Sequence, residues 1–172
     1  MQFLRIVLLC ILASCIYGVI HDQITARICV EYFTIGHPKI IESESPTLLA
    51  FAWGIRATAW MGGILGILIA LAARAGNKSQ LTDRNLIRPI AILLGAMAVS
   101  AITFGVIGRM LATNKSVWLV SPLAEEIAPE KHINFLTDLW AHSASYGAAT
   151  LGGIILIAYI IIRRIRVSRA AV

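Results

Sequence analysis

Charge is what this chain has least of: 14% of its 172 residues are charged, where an ordinary soluble domain carries roughly a quarter. A surface so poor in charge is not built to face water on every side. Cysteine is scarce as well. Cys10, Cys15 and Cys29 make no Cys-x-x-Cys pair and no even set, so no structural disulfide is expected. The chain also has no phosphate-binding loop, no dinucleotide fingerprint and no c-type haem motif, which removes the cofactor classes most easily read from sequence. Internal repeats and low-complexity stretches are missing. The paired broken helices of a transporter are represented only by Gly62-Gly63 and Gly152-Gly153. A net charge of +6 invites a nucleic-acid reading, but the basic residues sit at the ends of apolar segments and not in an aromatic-interleaved patch, so nucleic acid is not an expected partner.

What is present is apolar: 58% of the residues are hydrophobic, gathered into runs of about twenty, the length that crosses a hydrocarbon core of ~30 Å. The expected fold is an all-α membrane protein, four transmembrane helices in one bundle over residues 1–172. The spans are expected at about 3–20, 47–73, 89–111 and 130–164, with outer connections at 21–46 and 112–129 and a cytoplasmic loop at 74–88. The first run, with Arg5 ahead of it, reads as a signal peptide or a first span. Leu12-Ala13-Ser14-Cys15 has the look of a lipoprotein processing box, yet Ile16 to Ile20 carries the run on past the cysteine and favours a retained helix.

In the first connection, Gln23, Thr25, Arg27, Cys29 and Glu31 alternate with Ile24, Ala26, Ile28 and Val30, and this period of two predicts an extended segment. Ser45-Pro46-Thr47 opens the second span as a capping serine before a first-turn proline. Gly62 and Gly66 in that span, and Gly95, Ala98, Ala101, Gly105 and Gly108 in the third, predict close approach of neighbouring helices. Ser121-Pro122 followed by Glu125 and Glu126 predicts a short capped helix.

Charge sets the expected orientation. Arg5, the loop from Arg74 to Arg88 and the tail from Arg163 to Arg169 hold nine of the fifteen basic residues but only Asp83 of the nine acids. By the positive-inside rule both termini are cytoplasmic and both long connections lie outside, in an inner (plasma) membrane. All four histidines, His21, His37, His132 and His142, then fall on the outer half.

The candidate chemistry lies there. Asp138 and His142 are four residues apart on one face of the last helix, and Arg56 sits in the second span, where an ionisable residue is a functional-site hypothesis by default. Arg56 either packs against Trp53 and Trp60 in an interfacial aromatic belt or pairs with Asp138 or Glu31. The expected pocket is Arg56, Asp138, His142, Glu31, Tyr32 and His37. Asp138 and His142 could ligate a transition metal (zinc, copper or iron) if a third ligand came from His21, Asp22, Glu31 or His37, with His37 the first choice. Ser143 and Ser145 beside His142 serve a nucleophilic triad poorly, because helix serines bond back to carbonyls.

The stretches from Asp22-Gln23 to Glu31-Tyr32-Phe33, Gly36-His37-Pro38 and Asp138-Leu139-Trp140-Ala141-His142 resemble those of an uncharacterised bacterial four-span membrane protein family. That resemblance implies the four-span fold and brings no activity. The expected function is binding or subunit assembly in the lipid bilayer, alone, with a second copy or with a membrane protein partner. The alternatives are a metal-dependent membrane enzyme on the Asp138/His142 face and a purely structural subunit.

Overall fold

The computed structural model describes residues 1–170; the last two of the expected bundle, 171 and 172, lie outside the described residues. Its elements are α1 (Gln2–Ile28), α2 (Glu31–Thr34), α3 (Pro46–Arg74), α4 (Asp83–Thr113), α5 (Leu123–Glu126), a 3-10 turn at Pro129–Lys131, and α6 (His132–Ala170). Four of them, α1, α3, α4 and α6, are long and apolar enough to cross a membrane. The side chains confirm which solvent they suit. Leu4, Leu8, Leu12, Ile16, Ile20 and Ile24, at every fourth position of α1, all face outward. In water such a stripe would be an aggregation surface; in lipid it is the correct exterior, and the chain is a multi-pass membrane protein.

The helices associate as two intimate antiparallel pairs, α1 with α3 and α4 with α6. Small residues make each pair possible. At Gly54 an added Cβ would stand 2.6 Å from the Val19 nitrogen and 2.7 Å from its Cα, so it is backbone that approaches α3 there. Ser14 closes the same seam by donating to the Thr58 carbonyl at 3.1 Å. On the other pair Gly105 and Gly108 admit Ala141 and Trp140 of α6. The pairs meet each other at their ends, through one core around Ile6, Ala70, Leu86 and Ile160 and a second around Cys29, Tyr32, Leu49 and Phe135.

The basic end is tied by Arg164, a buried cation that donates to the carbonyls of Ala72 and Ala75 at 2.7 Å, Ser79 at 2.8 Å and Lys78 at 3.2 Å. The guanidinium thus caps the C-terminus of α3, whose last carbonyls have no intrahelical partner, and pins the 75–82 loop to α6.

Two boundaries differ from expectation. The segment from Gln23 to Ile28 is helical, not extended: Asp22, Thr25, Ala26 and Cys29 are buried at helical spacing, while Ile24 faces outward. The alternation in the sequence does not mark two faces: Arg27 is exposed beside Ile24, and Ala26 is buried beside Thr25. Similarly, α4 begins at Asp83 and not at about Pro89, which lies inside it. A proline there removes the donor for the carbonyl four residues earlier, and Arg163 donates to that Asn85 oxygen at 3.3 Å instead. Ser45 stands at the N-cap of α3, though its side chain makes no capping bond. The short helix after Ser121-Pro122 is α5, with the Ser121 hydroxyl donating to Glu125.

The glycine seams give a paired test. Gly54→Val forces backbone against backbone and should lower thermal stability in detergent by about 1–3 kcal/mol, the usual cost of overpacking. Gly95→Ala, with nothing within 4 Å of the new Cβ, should leave melting unchanged or raise it. Equal effects of the two would contradict the assignment of Gly54 to a packed seam.

Candidate binding site

Extending α1 to Ile28 carries His21 and Asp22 inward, onto the helix face that meets α6. There they find His142: the three side chains bring one ligand atom each to within 4.8 Å of one another. His142 is 7% exposed and Asp22 5%, so the cluster is a buried polar centre, shared between the first and last long helices.

Its hydrogen bonding fixes much of the chemistry. The Nδ1 of His142 lies 2.9 Å from the Asp138 main-chain oxygen, and because a carbonyl can only accept, Nδ1 carries the proton. Nε2 is left facing Asp22 Oδ1 at 3.3 Å. The Nε2 of His21 is buried with no partner among the described residues. One turn earlier on α1, Tyr17 shares a 2.7 Å hydrogen bond with Ser145 of α6.

Aromatic rings enclose the centre from the connection side. Tyr32, on α2, stacks on His142 with centroids 4.5 Å apart, and the His21 ring meets His142 edge-on at 4.5 Å. The contacts continue outward from Tyr32 to His37 at 4.8 Å and from His37 to Trp53 at 4.9 Å. The first connection therefore folds over His142, as the need to cover an unsatisfied polar group at an apolar boundary requires.

Below the centre is a cavity of about 280 Å³ between the two helix pairs. Its walls are mainly apolar, with Leu65, Leu93, Met97 and Ile157 among them and the hydroxyls of Ser14, Thr58 and Thr150 between, and its ionisable side chains His21, Asp22 and His142 collect at one end with Tyr17 and Ser145.

The six expected pocket residues divide. His142 and Tyr32 are in the centre. His37 is beside it, but its Nδ1 donates to the Tyr32 carbonyl at 2.7 Å and its ring lies between Tyr32 and Trp53, outside the convergent group. Asp138 is fully buried, and both its carboxylate oxygens lack a partner among the described residues. It meets His142 through its main chain, and the side chains that converge are His21, Asp22 and His142, not the expected Asp138, His142 and His37. Glu31 instead pairs with Lys131 at 3.4 Å and accepts from the Cys29 thiol at 3.3 Å. Arg56 is exposed in a groove with Trp53, Trp60 and Tyr146, and no carboxylate among the described residues pairs with it. Its expected pairing with Asp138 or Glu31 is absent because the arginine faces outward while Asp138 faces the bundle interior. His132, far along α6 from the centre, donates from Nε2 to the Ile127 carbonyl at 2.8 Å.

Electrostatics outside the spans follow burial. The Cys29 thiol is pushed up to about 12, by burial first and by its bond to the Glu31 carboxylate second. Burial also raises the Tyr32 phenol. Both groups therefore stay protonated near neutral pH.

Comparison of the chain with protein-family models, with curated proteins and with solved structures finds no match.

Two outcomes check this geometry. In a Cys10→Ala/Cys15→Ala background, Cys29 should resist a maleimide at pH 8 until the protein is denatured, since alkylation needs a thiolate; rapid native labelling would contradict its burial. Arg56→Ala and Asp138→Ala should be additive in stability to within about 0.5 kcal/mol, as sites without shared partners are. Clear non-additivity would restore the ion pair.

Proposed function

We propose that this chain is a binding protein of the inner membrane, with both termini in the cytoplasm, that takes an amphiphile into the cavity between its helix pairs. The ligand's polar end meets His21, Asp22 and His142 at the extracytoplasmic side, and its apolar part lies along the cavity wall. The observation that carries this reading is the cavity itself: mainly apolar along its length, with its ionisable side chains gathered at one end, as a small-molecule site needs a few placed polar groups in an apolar enclosure to orient its occupant. The bundle's exterior supplies the reason for an amphiphile, because a ligand reaching this cavity comes through a lipid-facing surface.

The orientation rests on charge. The end tied by Arg164 also carries Arg5, Arg74, Arg84 and Arg88, while the end with the polar centre carries most of the acids, which favours the basic end inside. A periplasm-dependent reporter fused to the C-terminus should be silent, and one inserted between Glu42 and Ser45 should be active. The reverse pattern would overturn the orientation.

For the ligand, native mass spectrometry of gently solubilised protein should show an adduct of lipid mass. Ala149→Phe, which fills the cavity from α6 without touching the polar centre, should lose that adduct and remain monodisperse. A chain that carries no adduct in either form is a structural subunit, and the binding reading fails.

A further inference from the structure

We infer that His21, Asp22 and His142 form a binding site for a divalent transition metal of the zinc class, with a fourth position open to the cavity. The inference concerns the same polar centre but does not require the cavity to hold an amphiphile.

The first argument is the tautomer. With Nδ1 of His142 committed as donor to the Asp138 carbonyl, a neutral imidazole presents the Nε2 lone pair to Asp22 Oδ1, an acceptor, at 3.3 Å. Two acceptors so placed need a proton or a metal cation between them. Two ligand atoms each about 2.0–2.1 Å from a tetrahedral zinc lie about 3.4 Å apart, so the observed separation is that of one edge of a zinc coordination shell. The carbonyl bond to Nδ1 is the arrangement that orients a metal-ligating histidine and raises its basicity.

The second argument is the unspent coordination capacity around that edge. Nε2 of His21 is buried without a partner, and its ring abuts His142 at 4.5 Å. All three donor atoms already lie within 4.8 Å of one another, so closing to the ~3.4 Å edges of a tetrahedral zinc shell asks for an approach of about 1.4 Å at most.

Charge balance is the third. No lysine or arginine lines the cavity, and among the described residues none pairs with Asp22 or Asp138. A dication bound by Asp22 gives this buried carboxylate the countercharge that no lysine or arginine supplies. Two imidazoles with one carboxylate suit zinc and its neighbours, and three protein ligands leave one coordination position for a water or for a ligand's polar end.

The test uses full-length protein purified in detergent without an oligohistidine tag, stripped with a chelator and equilibrated with zinc chloride. Elemental analysis after removal of free metal should give about one zinc per chain, as expected of one preformed site. His142→Ala and His21→Ala should each weaken zinc binding by about a hundredfold or more through loss of a ligand. His132→Ala should have no effect. Cobalt(II) added to the stripped wild type, where no substitution threatens folding, should give the visible absorption of a four- or five-coordinate ion. Zinc retained equally by the His21 and His142 variants, or a stripped wild type that takes up neither metal, overturns the site. The lipid adduct is measured separately, so loss of the metal site and loss of amphiphile binding are distinguishable.

Discussion

The fold depends on one constraint: the outside of this bundle is lipid, so every side chain that needs a polar partner must find it inward or at the ends. In hydrocarbon there is no water to satisfy a stray donor or acceptor. The stripe from Leu4 to Ile24 occupies the exterior of α1, and Asp22 and Thr25, on the opposite face of the same helix, are buried. The same pressure acts on α6, where Asp138, His142 and Ser145 turn in near one end and Arg164 near the other.

Those two ends use inward polarity differently. At the basic end Arg164 spends its donors on main-chain carbonyls of α3 and the following loop, a closed arrangement with every bond made inside the protein. At the far end the groups are not mutually satisfied: His21 and Asp138 retain buried polar atoms without partners. Structural networks are normally completed, because a half-satisfied buried network is costlier than an apolar core. The contrast within one small protein is why the second end reads as a site and the first as a clasp. Close packing accounts for the cavity between them. Small residues draw α1 to α3 and α4 to α6, and the two tight pairs, joined chiefly through their end clusters, leave a gap midway.

Much of this was legible in the residue order. Run length and basic flanks located four spans, the Gly62/Gly66 and Gly105/Gly108 spacings marked the seams, and His142 with Tyr32 was placed at the site. A period-two pattern at Gln23 to Glu31 was read as an extended segment, and that reading left His21 and Asp22 in a loop when they belong to a helix facing α6. Once α1 runs to Ile28, Tyr17 and His21 fall at helical spacing on its inward side, the signal that could have found them. Arg56 misled as well: a cation in an apolar span suggested a buried partner, but it opens into a groove beside Trp60. Nothing in the order of residues distinguishes an arginine that lines an outer groove from one that pairs inside, since that depends on the rotation of α3 about its axis. The role of Arg163 at Pro89 was likewise invisible, because it depends on a contact between chain segments far apart in sequence.

The meeting of α1 and α6 at the polar centre is the claim on which everything functional here rests, and a double-mutant cycle between Asp22 and His142 measures it directly. Asp22→Asn, His142→Gln and the double variant, compared by unfolding in detergent, should show a coupling energy of about 0.5–3 kcal/mol, the range for residues in one network. Additivity within error would mean that the two side chains do not meet, and the centre would not exist.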